Sequence, residues 1–118
     1  MDAEELLEKY ARRGERKFHS EDIRGVDLES ADLSGIDFKN ANLIGANLNN
    51  ANLSKANLEK TNLTRASLIN ANLGELVNSY YLNLTGAELS SSNLRNANLE
   101  SANLRNANLE SVNLQKAC

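Results

Sequence analysis

Proline and tryptophan are missing from this chain, and cysteine, histidine and methionine occur once each. Each gap closes a class of function. A single histidine, His19, rules out a multi-histidine metal site and any Cys/His zinc framework. A single cysteine, Cys118, leaves no intrachain disulfide and no CxxC pair. His19 and Cys118 stand at opposite ends of the sequence, so neither a Ser-His-Asp nor a Cys-His nucleophile is expected. There is no GxxxxGK[ST] loop to cradle a phosphate. No run of about 18 apolar residues exists, so no membrane-spanning helix is expected. The start, Met1-Asp2-Ala3-Glu4-Glu5, lacks the basic and apolar regions of a signal peptide. With a pI of about 5.2 and no basic, aromatic-interleaved patch, direct nucleic-acid binding is not expected either. These absences predict a cytoplasmic protein with no enzymatic activity and no cofactor.

Aromatics are only 4% of the residues, which would be thin for a globular core, and a mean hydropathy of −0.50 borders on disorder. What is present answers both points. A leucine or its substitute returns every five residues: Phe18, Ile23, Leu28, Leu33, Phe38, Leu43 and onward to Leu73. It resumes, shifted by one, from Leu84 to Leu114. The usual box is Ala-Asn-Leu-x-x, as in Ala41-Asn42-Leu43 and Ala46-Asn47-Leu48.

Internal repetition is weighed before local propensity. Five residues advance an α-helix by roughly 500°, so the leucines would spiral round it and leave no stripe to bury. A continuous strand fails too, because an odd period alternates their faces. A short strand followed by a corner satisfies both apolar positions. Ala and Leu point inward, Asn outward, and the polar fourth and fifth positions turn the chain. Four right-angled boxes close a square coil of 20 residues. Such coils stack at about 4.8 Å, with opposite walls about 10 Å apart. The spacing therefore predicts an all-β solenoid of about five coils, each touching only its neighbours.

The boxes from Ala31-Asp32-Leu33 to Val112-Asn113-Leu114 resemble those of pentapeptide-repeat proteins. The resemblance covers roughly residues 16 to 118. It implies a right-handed quadrilateral β-helix, a handedness that spacing alone leaves open. Most members of that family, abundant in cyanobacteria, have no assigned activity. Some mimic DNA with a long acidic rod and modulate type II topoisomerases such as gyrase. Those rods dimerise through a C-terminal helix. This chain departs from them in its modest net charge of −3 and in ending without such a helix.

Residues 3 to 11 follow another rule. Ala3, Leu6, Leu7, Tyr10 and Ala11 share one helical face. Asp2 with Glu5 reads as a capping box, and Gly14 as the stop. We expect residues 1–15 to form a capping helix over the open first coil, and 16–118 to form the β-helix. Similar short helices open many members of the resembled family. A partner-binding helix is the alternative. At the other end Leu99, Leu104, Leu109 and Leu114 floor an uncovered coil, where a weak end-to-end homodimer is expected.

Between Leu73 and Leu84 the spacing is eleven, so one residue is inserted, and Ser79 takes a leucine's place. Leu76, Val77, Tyr80 and Tyr81 form a candidate partner contact there. Alternatively the segment folds back to fill the space that Ser79 leaves. Sorting boxes four apart puts Asp27, Glu29, Glu88 and Glu110 on one wall without a cation. That wall is either a solvated face or an acidic recognition surface. The opposite sign gathers mildly on the wall of Arg24, Arg65 and Arg105. Asp22, Asp27, Asp32 and Asp37 suggest a cation ladder, but a spacing of five sends them to four walls, where no ion is shared. Matches to the glycosylation pattern at Asn52, Asn62 and Asn83 are products of the repeat. The function expected is a scaffold or protein-binding module of unknown partner. The alternative is a DNA mimic acting on gyrase.

Overall fold

Each box of the computed structural model, which describes all 118 residues, forms one side of a square. The second-position residue of a box makes a parallel bridge with its counterpart one coil on. The series runs Lys17 to Asp37, Asp22 to Asn42, Asp27 to Asn47 and Asp32 to Asn52, a register of 20. It becomes 21 where the inserted residue falls, as between Asn57 and Asn78. Five coils result: 16–35, 36–55, 56–75, 76–96 and 97–116. The walls are rows of isolated bridges rather than long strands, because the corner leaves each box too short for a ladder of its own.

Three backbone bonds join successive coils on each wall, except on the first wall between the fourth and fifth coils. On the first wall Phe18 N–H meets the Asp37 carbonyl at 2.8 Å, Ser20 meets Lys39 at 2.9 Å, and Asp37 N–H returns to Arg16 at 2.7 Å. The third-position side chains fill the bore. Leu33, Phe38, Leu43, Leu48, Leu53 and Leu58 are all 0% exposed. Small first positions such as Ala41, Ala46 and Ala51 let them meet. Phe18 and Phe38 pack one coil apart with ring centroids 6.3 Å apart and a 59° tilt, as expected from the register.

The corner is where sequence and backbone negotiate. Every fifth position, from Ser20 to Lys116, has a positive φ, between 55° and 71°. The turn closes when the next first-position N–H reaches the preceding third-position carbonyl, as from Ala56 to Leu53 at 3.1 Å. Glycine serves at Gly25, Gly35, Gly45 and Gly86, and asparagine at Asn40, Asn50 and Asn70. Lys55, Lys60, Arg65, Glu75 and Tyr81 carry the same geometry at a cost of about 1–2 kcal/mol each. A buried leucine, worth about 1.5–3 kcal/mol, outweighs that cost box by box.

The asparagine does more than face solvent. Its Oδ1 accepts the N–H two residues on: Asn42 from Ile44 at 3.1 Å, Asn52 from Ser54 at 3.0 Å, Asn57 from Glu59 at 3.0 Å. The Asx turn so formed fixes the entry to the corner. Asp27, Asp32 and Asp37 substitute for it in the early coils. At Asn62 and Asn83 the same oxygen also receives the hydroxyl of Thr64 or Thr85 at 2.6 Å. Where Ser67 replaces the asparagine, Asn49 from the coil before supplies the acceptor, taking the Ile69 N–H at 2.9 Å.

At the N-terminus α1 (Ala3–Leu7) is capped by Asp2, whose carboxylate accepts the Glu5 N–H at 2.9 Å. The reciprocal half of a capping box is not made, since Glu5 turns to Lys9 at 3.5 Å. The helix continues as a wider π-helical turn over Glu8–Arg12, which the periodicity did not foretell. Leu6 and Tyr10 join the core, whereas Ala11 is exposed. The Tyr10 hydroxyl donates to the Ser34 carbonyl at 2.5 Å, and the Arg16 guanidinium lies 3.9 Å over its ring.

Candidate interaction surfaces

The one-residue insertion is absorbed at a single point. Val77 N–H bonds to the Ala56 carbonyl at 3.0 Å, while the Asn78 carbonyl accepts the Leu58 N–H at 2.7 Å. Two residues thus occupy the slot of one second-position residue, which is a β-bulge. Leu76 turns into the bore and is 7% exposed, so it leaves the candidate contact set. Val77 is thrown out at 73%, with Tyr81 at 61% and Tyr80 at 40%. The segment therefore splits: Leu76 packs into the bore, while Val77, Tyr80 and Tyr81 stay outside it. Leu76 and Leu82 are leucines where alanine is usual, and they flank the buried Ser79, restoring apolar volume.

The bulge also opens the wall beyond it. Between the fourth and fifth coils three walls keep their backbone bonds, such as Leu84 to Asn103 at 2.7 Å and Leu89 to Asn108 at 2.9 Å. On the first wall no backbone bond joins Asn78–Tyr81 to Asn98–Glu100. Only the Ser79 hydroxyl bridges them, donating to the Asn98 carbonyl.

On the third wall the bridges Asp27 to Asn47, Asn47 to Ser67, Ser67 to Glu88 and Glu88 to Asn108 align the expected acidic residues. Their carboxylates are held by asparagines of the neighbouring coil. Asn47 Nδ2 donates to Asp27 at 3.2 Å and to Glu29 at 3.5 Å, and Asn108 Nδ2 to Glu88 at 3.0 Å. Glu110 stands on the same wall, exposed.

The early aspartates take separate partners on separate walls. Asp37 meets His19 Nε2 at 2.5 Å. Asp22 receives the forked guanidinium of Arg24 at 2.9 and 3.0 Å, and that hydrogen bonding holds its carboxyl below the usual carboxylate range. No three carboxylate, imidazole or thiol groups gather to hold a metal ion. No helix is long and apolar enough to cross a membrane.

A different feature escaped the sequence. On the fourth wall a cleft of about 320 Å³ opens around Gly74, with Lys55, Glu75 and Arg95 on its rim. Gly74 is the one glycine without a positive φ. Space explains it instead: a Cβ there would stand 3.0 Å from Asn72 Oδ1 and 3.2 Å from Asn93 Nδ2. In sequence, this glycine looks like one more corner.

A bore lined by every fifth side chain, with one bridge per side and a turn at each fifth residue, defines the chain as a quadrilateral β-solenoid. It belongs to the pentapeptide-repeat family, whose profile matches residues 22–59, 46–75 and 83–118 as eight copies. The match lapses over 76–82, where the bulge lies. The coil is right-handed, as in its structural relatives. HetL from Nostoc sp. strain PCC 7120, a pentapeptide-repeat protein involved in heterocyst differentiation regulation, is 34% identical. That alignment covers 95% of this chain and 48% of HetL, with a TM-score of 0.65. The chain thus spans about half of HetL's length. The pentapeptide-repeat protein alr5209 of the same cyanobacterium is 31% identical over 94% of this chain and 74% of its own, at a TM-score of 0.66. Rfr23 from Cyanothece 51142 is 28% identical over 97% and 92%, at 0.51. A comparison with curated proteins gives no match.

Proposed function

We propose that this chain is a non-enzymatic protein-binding module of the cytoplasm, engaging its partner through the bulged side of the first wall. The observation that carries this is the exposure of Val77, Tyr80 and Tyr81 side by side in a molecule that otherwise hides its large apolar groups. Leu114 is the one other large apolar side chain exposed to a comparable degree. Tyrosine gives a contact rigid area and a hydroxyl at low entropic cost, and is enriched at interface hot spots. Backbone bonds from Leu58 to Asn78 at 2.7 Å and from Lys60 to Tyr80 at 2.8 Å hold this segment to the coil before it, which limits the ordering cost of association. HetL's involvement in a regulatory process is consistent with a role through contact rather than chemistry.

The same chain is proposed to pair weakly end to end through its last coil. Leu99, Leu104 and Leu109 are partly exposed there and Leu114 is 45% exposed. A coil about 10 Å between walls offers an interface near or below about 1,000 Å², so association follows concentration. Analytical ultracentrifugation at rising concentration measures it, and a strict monomer into the hundreds of micromolar (about 10⁻⁴ M) disproves it.

The binding reading is tested by affinity capture from the source organism with the native chain and a Val77→Ser, Tyr80→Ser, Tyr81→Ser variant. All three side chains are outside the core, so the variant keeps its melting temperature. A partner retained by the native chain and lost from the variant supports the assignment. Equal retention by both overturns it.

A further inference from the structure

The cleft at Gly74 differs chemically from the bulge on the first wall. Its cations have no partner within the chain. The five ion pairs of the molecule join Lys9 to Glu5, Arg12 to Glu8, His19 to Asp37, Arg24 to Asp22 and Lys39 to Glu59. Lys55 and Arg95 are in none of them, and they flank the same opening from the second and fourth coils. Glu75 is the one carboxylate on the rim, leaving one positive charge in excess on a chain whose net charge is −3. On the floor, Asn72 Oδ1 is already occupied by the Gly74 N–H at 2.9 Å and by Asn93 Nδ2 at 3.3 Å. Both bonds consume acceptor capacity and leave the Asn72 amide hydrogens uncommitted.

Uncommitted, water-facing donors around a cleft that Gly74 keeps clear of a side chain favour an anion. The residue types on the rim favour a carboxylate. Arg95 presents a planar fork that matches a carboxylate, and Lys55 adds a point charge from the opposite rim. The volume is at the low end for small-molecule sites, enough for one carboxylate on a short stem. We propose that the Gly74 cleft binds a carboxylate, taken either from an acidic side chain of a protein or from a small free dicarboxylate. This site lies one wall away from Val77 and the tyrosines and stands or falls independently of them.

The test is an NMR titration of the isotopically labelled chain with three probes: succinate, a capped triglutamate peptide and inorganic phosphate, at matched ionic strength. Saturable shifts of the Gly74, Glu75 and Asn93 amides are expected with the carboxylates, at dissociation constants of about 1 mM, a binding free energy near −4 kcal/mol. Tighter binding of succinate assigns a free metabolite, and tighter binding of the peptide assigns a protein partner. In a Lys55→Asn, Arg95→Gln variant the affinity falls at least tenfold. Asparagine suits the positive φ of Lys55, so the variant keeps its fold, checked by its melting temperature. Three results overturn the proposal: no saturable shift, shifts that persist in the variant, or phosphate binding as well as the carboxylates.

Discussion

Leu76 and Val77 share a peptide bond and lie on opposite sides of the wall, the first 7% exposed and the second 73%. Substituting each by alanine separates the two roles of the bulge. Leu76→Ala empties part of the bore beside Ser79 and is expected to cost about 2–4 kcal/mol. Val77→Ala is expected to stay within about 0.5 kcal/mol. Chemical denaturation of both variants measures this; equal losses would mean that the two side chains share the core.

The corners offer stability that the sequence has not taken. Lys60 and Arg65 hold φ at 56° without glycine or asparagine. Lys60→Asn and Arg65→Asn are each expected to raise stability by about 0.5–1 kcal/mol, by easing left-handed strain. The converse is Gly35→Ala. Nothing lies within 4 Å of its Cβ position, yet its φ of 71° is expected to cost about 1 kcal/mol. Thermal melts of the three variants check the signs.

Ser92 and Thr61 stand at equivalent first positions, both buried, with opposite hydroxyl fates. Thr61 Oγ1 donates to the Phe38 carbonyl at 2.8 Å, whereas Ser92 Oγ has no partner. Ser92→Ala should therefore stabilise the protein by about 1–2 kcal/mol, and Thr61→Ala should destabilise it by about 1 kcal/mol. A stabilised Thr61→Ala would show that its bond contributes nothing.

The acidic wall is expected to leave gyrase untouched. Asp27, Glu29 and Glu88 already accept bonds from asparagines of the adjacent coil, which occupies part of their acceptor capacity, and the chain's net charge is only −3. A supercoiling assay with the unmodified chain should show no inhibition at micromolar concentration (about 10⁻⁶ M). Inhibition that disappears on reversing Glu29, Glu88 and Glu110 to lysine would instead establish DNA mimicry.

Removing residues 1 to 13 tests the proposed cap. Leu6 is fully buried and Tyr10 ties the helix to Ser34, so their loss uncovers the first coil. A loss of several kcal/mol, at about 1.5–3 kcal/mol per large apolar group, and self-association are expected. A shortened chain that melts at the native temperature as a monomer would assign the helix another task.

Much of this fold is legible because one physical demand recurs with a fixed period. Leucine at every fifth residue suits neither a helix nor a continuous strand and points to a square coil, though not to its hand. The stacking of Phe18 on Phe38 and the wall of Asp27 and Glu88 follow from counting. What the sequence hides depends on backbone direction. Asn42 and its counterparts read as outward polar groups, because their bond to the N–H two residues on exists only once the corner has formed. Leu76 and Val77 are equally apolar, and a single rung to Ala56 decides which enters the bore. Gly74 carries no mark distinguishing it from a corner glycine. The lost rungs at Asn98 and the wide turn at Glu8–Arg12 likewise leave no trace in periodicity.

The bulge at Val77 also works as a frame correction. An extra residue in a strict repeat would displace every later leucine from the axis, yet Leu84, Leu89 and Leu94 are fully buried again. The phase error is confined to one side of one turn, at the expense of a few rungs. Three sides of the rod are thereby insulated from changes on the fourth, so this side is free to vary in length and chemistry while the others hold their register.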